Sequence, residues 1–282
     1  MNKDSLLFKL VVPIPLCLCL GLLLAGLLLP SAMRKNAISA ATEAAVETAG
    51  QVKTLRSYYT KFVVSDAKAS GSLSLGIDHQ NDPNVMPLPA TMVHDVSELI
   101  AGEQINFSLY SPFPFENRAD RPSDAFMEEA WDALSNDPAR SIEQTEVVNG
   151  STFLRVAVAD QMTSEVCVAC HNTVAGSPKT DWQLGDLRGV IEVRRNLDPI
   201  LANTQALSRN ILIGLAVMSA VLLAVCISVA RSVIRPIERV CTDIAAVSSG
   251  DLETEVASAN RRDEIGKIGK ALVELQTDLQ QA

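Results

Sequence analysis

The sequence predicts an α+β domain set between two membrane-spanning helices, with a helical segment after the second span. Two runs free of charged residues, 10–30 and 210–230, have the roughly 20-residue length that a helix needs to cross a bilayer. Between them, residues 31–209 mix helical periodicity with strand-like alternation and a hairpin signal. Residues 231–282 repeat apolar side chains every three or four positions, which is typical of paired helices. Residues 1–9 are the predicted cytoplasmic N-terminus.

Flanking charges predict the orientation of the two spans. The first apolar run is longer than the roughly 7 to 15 residues of a signal peptide and lacks an A-x-A cleavage site, so we expect an uncleaved anchor. Arg231, Arg235 and Arg239 follow the second span and favour a cytoplasmic C-terminus. Without Arg209, the intervening segment holds 14 Lys and Arg against 23 Asp and Glu. This acidity argues against nucleic-acid binding.

The segment between the spans has the element order of an α+β domain with an antiparallel sheet. The predicted elements are a long helix over 36–69, a loop over 70–90, a short helix over 91–101, a strand over 104–110, a helix over 123–134 with Ser123 as its N-cap, a hairpin, a loop that contains two cysteines, and a last strand over 187–193. The hairpin is indicated by two apolar runs, 145–148 and 151–159, around Asn149-Gly150.

The most specific motif is Cys167-Val168-Ala169-Cys170-His171. C-x-x-C-H is the attachment signature of c-type haem: two thiols add across the vinyl groups, and the following His supplies a nitrogen to the iron. A zinc site would need a second ligand pair, and no other Cys lies between Cys19 and Cys226. We therefore expect haem c as the cofactor, with a zinc site or a disulfide as alternatives. Since haem c is attached outside the cytoplasm, residues 31–209 should lie in the periplasm of a two-pass bacterial inner-membrane protein.

Residues 55–195 resemble a family of periplasmic haem-c sensor domains, found between two spans in bacterial chemoreceptors and other signalling proteins. The matching phrases are LRSYYT at 55–60, PLPAT at 87–91, YSPFPFENR at 110–118, LRVAVADQM at 154–162, CVACHN at 167–172, SPKTDW at 177–182 and GDLRGV at 185–190. The resemblance implies a PAS-like fold with one covalently held haem. Some relatives take a thiolate ligand from the first helix, where this chain has Arg56, Tyr58 and Tyr59 instead.

Other residues are candidates for the remaining contacts with haem. For the sixth iron ligand they are His79, His94, Met86, Met92, Met127 and Met162, with His94 favoured because it follows the Pro87-Leu88-Pro89 segment in a helical stretch. Basic side chains suit the carboxylates of haem propionates, which makes Arg118, Arg155 and Lys179 candidates. Trp182 is expected to pack against the porphyrin or to cap the core.

Residues 231–282 resemble a HAMP domain, the helical relay that follows the last span of many receptors. Two seams of apolar residues carry the pattern: Ile237, Val240, Ile244 and Val247, then Ile265, Ile268, Leu272, Leu275 and Leu279. Pro236 stands where the first helix begins, and Asp263-Glu264 opens the second. The resemblance implies a homodimer with a four-helix bundle. Its output would pass to a separate cytoplasmic signalling protein or to a domain absent from this chain.

Together these observations predict a transmembrane receptor that senses redox state or a diatomic gas such as nitric oxide. No catalytic constellation is recognisable, so we expect no enzymatic activity. One alternative is a membrane-anchored monohaem cytochrome for electron transfer. Another is a small-ligand sensor of the Cache type in which the haem motif is unused.

Overall fold

The computed structural model describes residues 13–100 and 105–281. The predicted cytoplasmic segment 1–9, the start of the first span, and the ends of two predicted elements at Ala101 and Gln104 lie outside the described residues. One compact unit is Met33–Gln205, and the described parts of the other are residues 13–32 and 206–281. The predicted α+β class with an antiparallel sheet, two long apolar helices and a C-terminal helical relay is confirmed.

Helix α1 joins an apolar segment that can cross a membrane to an alanine-rich segment that packs on the sheet, and it continues through Pro30. It spans Pro13–Tyr58 and continues through a π-helical segment, Tyr59–Val64, into α2 at Ser65–Ser70. Its buried side chains Ala41, Ala45, Ala49, Val52 and Arg56 recur every three or four residues, so they lie on one face. The alanines allow close approach to the sheet, and Gly71 ends α2 in the left-handed conformation that favours glycine (φ 64°).

Four antiparallel strands form the sheet of the domain, in the order β3-β6-β5-β4. The strands are β3 at Ile105–Tyr110, β4 at Ser141–Val148, β5 at Ser151–Gln161 and β6 at Leu187–Asn196. The predicted hairpin is confirmed and is longer than its apolar core suggested, with Asn149 and Gly150 at φ 52° and 84° in the turn. Both central positions of a type I′ turn need positive φ, which explains the Asn-Gly pair.

Alternating side chains of β5 place two small cores on opposite faces of this sheet. Leu154, Val156 and Val158 pack with the α1 alanines and with helix α3, Pro89–Leu99. Ala157 and Ala159 face helix α4, Ala125–Asn136, on the other side. The same alternation directs Arg155 toward the α4 face and Asp160 toward the α1 face.

Four local predictions are wrong in detail. The predicted loop 70–90 contains two three-residue strands, β1 at Ser74–Gly76 and β2 at Val85–Pro87, which pair in parallel and are too short to show a period. Helix α3 begins at Pro89 rather than at 91, because proline is well suited to a first helical position. The N-cap of α4 is Asp124 rather than Ser123, and its carboxylate accepts the backbone N–H of Met127.

The C-x-x-C-H motif is helical, contrary to the predicted loop. It lies on helix α5, Glu165–Thr173. Ser164 caps this helix by accepting the Cys167 N–H, and Glu165 is favourable in its first turn. A nine-residue helix with polar ends gives too weak a periodicity to be recognised in the sequence.

The remaining helices run from the end of the sheet to the C-terminus. Helix α6 is Asp198–Val229, a π-helical segment spans Ala230–Ile234, α7 is Arg235–Ser248, a 3-10 turn covers Ala257–Asn260, and α8 is Glu264–Gln281. By length and composition, the helices Pro13–Ser70 and Asp198–Ser248 can each cross a membrane. Val247, Val256 and Leu272 form a small core between α7, the connector and α8.

Candidate cofactor site

The helical conformation of the motif brings its three reactive side chains to one face. Cys167, Cys170 and His171 stand at positions i, i+3 and i+4 of α5, and residues with this spacing are neighbours on a helix surface. Both thiols are free and partly buried. The Cys167 sulfur accepts a hydrogen bond from the Ser164 hydroxyl at 3.1 Å.

This face of α5 lines a cavity of about 1000 Å³, at the upper end of the roughly 300 to 1000 Å³ of ligand pockets. The cavity lies where β3 and β5 end and β6 begins. Its apolar and aromatic walls are contributed by the segment after β3 and by α1, α3 and α4, including Val64, Leu88, Tyr110, Phe113, Phe115 and Trp131. No group of three or more His, Cys, Asp or Glu side chains suited to a metal ion occurs among the described residues.

A buried ion cluster forms one wall of the cavity. Asp160, 5% exposed, accepts hydrogen bonds from both Nη atoms of Arg56, with Nη1 at 2.9 Å, and from Arg188 Nε and Nη2 at 3.0 and 3.2 Å. Burial alone would raise the pKa of Asp160, but the guanidinium groups of Arg56 and Arg188 lower it to about 2. One carboxylate thus joins helix α1 to strands β5 and β6 beside the motif.

The His171 imidazole is held neutral and packed among aromatic rings. Burial, and then the positive charge of Arg188, lower the pKa of His171 to about 4. Its ring lies edge-on to Phe115 and Trp182, with centroids 6.0 and 6.4 Å away. A neutral imidazole has a free lone pair, which is the form that ligates a metal.

Three of the predicted haem contacts lie outside the cavity lining. Arg155 binds Glu192 (Nε to Oε1, 2.7 Å) and Asp124 (Nη1 to Oδ2, 2.6 Å) and lines a separate cavity of about 370 Å³. It lies on the α4 face of β5, and those carboxylates already compensate its charge. This geometry gives no support to Arg155 as a propionate contact.

Lys179 and Trp182 lie behind the motif rather than in the cavity wall. The Lys179 ammonium forms an ion pair with Asp181 and lies 4.8 Å from the centroid of the Trp182 ring. Trp182 is buried, and its backbone N–H and carbonyl are both bound by the Asn172 side chain, at 2.9 Å each. Trp182 therefore supports the imidazole of His171 from the protein side, whereas Arg118 lines the cavity.

The predicted candidates for the sixth iron ligand differ in whether they line the cavity. Met127 lines the cavity, whereas His79, His94, Met86, Met92 and Met162 are not among its lining residues. His94 is buried on α3, and both ring nitrogens lie within 3.3 Å of Arg121 Nη1. Burial, followed by the charges of Arg118 and Arg121, lowers the pKa of His94 to about 3. This geometry gives no support to His94 as an iron ligand.

The sequence reasoning missed the ion cluster around Asp160 and the role of Arg121. Asp160, a charged residue directly after the apolar run Val156-Ala157-Val158-Ala159, was a signal for a buried partner of opposite charge. The partners could not be read from the sequence because Arg56 lies 104 residues away.

Comparison with known proteins supports the assignment of both parts of the chain. Residues 34–195, more than half of the chain, match the Tll0287-like family, and residues 228–281 match the HAMP domain. The chain therefore belongs to the Tll0287-like family and carries a HAMP domain. Two helices long enough to span a membrane, a sensor-like domain and a HAMP domain define a transmembrane signalling receptor. No curated protein and no solved structure matches the chain.

Proposed function

We propose that this receptor holds a haem c in the cavity beside α5 and senses redox state or a diatomic gas through it. Cys167 and Cys170 would carry the two thioether bonds, and His171 would supply the axial nitrogen. The observation that carries the proposal is that all three residues of the C-x-x-C-H motif share one helix face and line the same cavity of about 1000 Å³.

The residues around the motif fit such a group. The walls are largely apolar and aromatic, as a porphyrin requires, and the His171 imidazole is neutral. When bound, haem c supplies a one-electron couple and an axial position that a small ligand can occupy. Of the predicted sixth ligands we favour Met127, because it lines the cavity.

The route of the signal begins at the Asp160 cluster. Arg188 bonds Asp160 and lies close enough to the Cys167 sulfur to interact with it, while Arg56 joins the same carboxylate to α1. A change of charge or ligation at His171 would alter the electrostatic interactions among Arg56, Arg188 and Asp160. Helix α1 then offers a continuous path toward the first span, since Pro13–Tyr58 is one helix.

The relay would act as a homodimer. Three of the nine apolar seam residues of α7 and α8, Val240, Val247 and Leu272, are buried within one chain. Five others remain exposed: Ile237, Ile244, Ile268, Leu275 and Leu279. Apolar side chains at such a and d positions are covered by a second copy in parallel helical bundles. The receptor would then lie in a bacterial inner membrane with residues 31–209 in the periplasm. A signal would shift the equilibrium between two packing arrangements of the helical bundle.

The attachment of haem is tested on full-length protein produced in a bacterial host that matures c-type cytochromes. We expect the intact mass to include haem after acid–acetone extraction, and the adduct to be absent from Cys167→Ala/Cys170→Ala. Cys241→Ala, which removes an exposed cysteine of α7, is the matched control and should keep the adduct. Wild-type protein without the adduct would contradict the proposal.

The stimulus is tested by absorption spectra of the same preparation, oxidised and reduced, with and without nitric oxide and carbon monoxide. Binding of either gas to the reduced protein favours gas sensing. Spectra unchanged by both gases, with reversible reduction, favour redox sensing. Deleting residues 231–281 should remove the signalling output, whereas a cytochrome that only transfers electrons would be unaffected.

A further inference from the structure

The cavity is positively charged in a domain that is otherwise acidic. Its lining includes five basic side chains, Arg56, Lys68, Arg118, Arg121 and Arg188, against three acidic ones, Glu128, Asp132 and Asp160. Residues 31–208 as a whole have 14 basic and 23 acidic residues. An excess of two positive charges therefore faces the space where the cofactor would lie.

Arg118 and Arg121 differ from the other guanidinium groups of the wall. Arg56 and Arg188 share Asp160 as a counter-ion, but neither Arg118 nor Arg121 forms an ion pair with any carboxylate of the described residues. Arg118 Nη2 donates to the Thr91 hydroxyl at 3.3 Å, and Arg121 Nη1 lies 3.2 Å from His94 Nε2. Thr91 and His94 stand one turn apart on α3, so this helix holds both guanidinium groups side by side.

The two groups repel each other, and the charge of Asp95, which raises the pKa of Arg118, compensates them only in part. Burial, followed by the charge of Arg121, lowers the pKa of Arg118 to about 10. The nearest acid on α3, Asp95, is already bound to His79 Nε2 at 3.0 Å. Guanidinium groups that have no ion-pair partner are suited to binding carboxylates, with which they form paired hydrogen bonds.

We propose that Arg118 and Arg121 form a binding site for two carboxylates, the propionates of the haem attached at Cys167 and Cys170. This inference rests on the function proposed above and names the groups that fix the porphyrin opposite α5. Arg121 is exposed, whereas Arg118 is partly buried, as expected for side chains at the edge of a pocket where propionates meet solvent. The same arrangement keeps both nitrogens of His94 next to a cation and therefore away from the iron.

The experiment compares full-length Arg118→Gln/Arg121→Gln with wild type, both matured with haem. The control is Arg140→Gln, which removes one exposed cation from the same domain. We expect the double variant to shift the propionate bending band in the resonance Raman spectrum. It should also lower the midpoint potential, since loss of two cations disfavours the added electron. The control should match wild type in both measurements.

A second variant keeps the test valid if the first folds poorly. Arg118→Lys/Arg121→Lys retains both charges but removes the planar fork, so the potential should stay near that of wild type while the Raman band still shifts. Haem-loaded double variants with the band and the potential of Arg140→Gln would overturn the inference and leave the proposed haem function intact.

If wild-type protein carries no haem, the proposed function fails, and the source of the carboxylates is tested with succinate. A rise in the unfolding temperature of wild type with succinate that is lost in Arg118→Gln/Arg121→Gln would support a carboxylate site for a free ligand. No rise in the absence of haem would overturn the carboxylate site as well.

Discussion

Asparagine at position 160 tests how strongly the buried ion cluster holds the sensor domain together. Asp160→Asn keeps the volume of the side chain but removes its charge. Arg56 and Arg188, whose side chains are 8% and 12% exposed, would then share a neutral amide that offers a single oxygen. Both would remain charged, because a guanidinium group does not lose its proton in proteins.

The magnitude follows from the loss of a buried counter-ion. Removing one partner of a buried ion pair costs about 3–5 kcal/mol, because it leaves an uncompensated buried charge. Here two guanidinium groups depend on one carboxylate, so we expect a value in that range. For a domain of this size, 1 kcal/mol changes the unfolding temperature by roughly 2–4 °C, which predicts a decrease of about 10 °C.

The assay uses the fluorescence of the chain's two tryptophans, Trp131 and Trp182, which both lie in the sensor domain. Thermal unfolding of the full-length protein then reports this domain. The matched control is Asp120→Asn, the same chemical change at an exposed position, and it should leave the transition unchanged. A decrease of less than about 2 °C in Asp160→Asn would refute the reasoning, since it would mean that the cluster contributes under about 1 kcal/mol.

Three further predictions concern pH, the relay and the motif. The pKa of Asp160 is lowered to about 2 in the folded protein, compared with about 3.9 in the unfolded chain. Its charge therefore stabilises the fold at pH values above about 3.9, and this stabilisation is lost as the pH falls toward 2. Acid titration should destabilise wild type more than Asp160→Asn. Gly269→Ala would put a Cβ 2.6 Å from the Ala259 nitrogen and should weaken the relay by about 1–3 kcal/mol in helix-content melts, whereas Gly214→Ala, with open space around it, should not. His171→Ala should retain the covalent adduct by mass but change its absorption spectrum, and an unchanged spectrum would exclude His171 as a ligand.

The elements with strong local signals could be predicted from the sequence. The long helix was indicated by the spacing of Ala41, Ala45 and Val52, and the hairpin by Asn149-Gly150. The short strands β1 and β2 and the nine-residue helix α5 could not, because their few residues show no clear period and depend on contacts with the rest of the domain.

The chemistry proposed for the candidate site rests on local sequence, whereas its geometry could be predicted only in part. Cys167, Cys170 and His171 belong to one five-residue motif, so local sequence was enough to predict them as site residues. Arg155 illustrates the limit: its basic character suggested a propionate contact, but the pleat of β5 directs it to Glu192 on the opposite face from Asp160. Which face a charged side chain occupies depends on strand register, and that was uncertain in the sequence.

The most direct measurement of the central claim is cross-linking between relay helices in the two oxidation states. Cys241 is exposed on α7, and Ala substitutions at Cys17, Cys19 and Cys226 would leave it as the target for a bismaleimide in haem-loaded, membrane-embedded protein. The account predicts that the yield of cross-linked dimer differs between ferric and ferrous protein, because the state of the cofactor biases the packing of the bundle. Equal yields in both states, with the oxidation state verified by absorption, would contradict it.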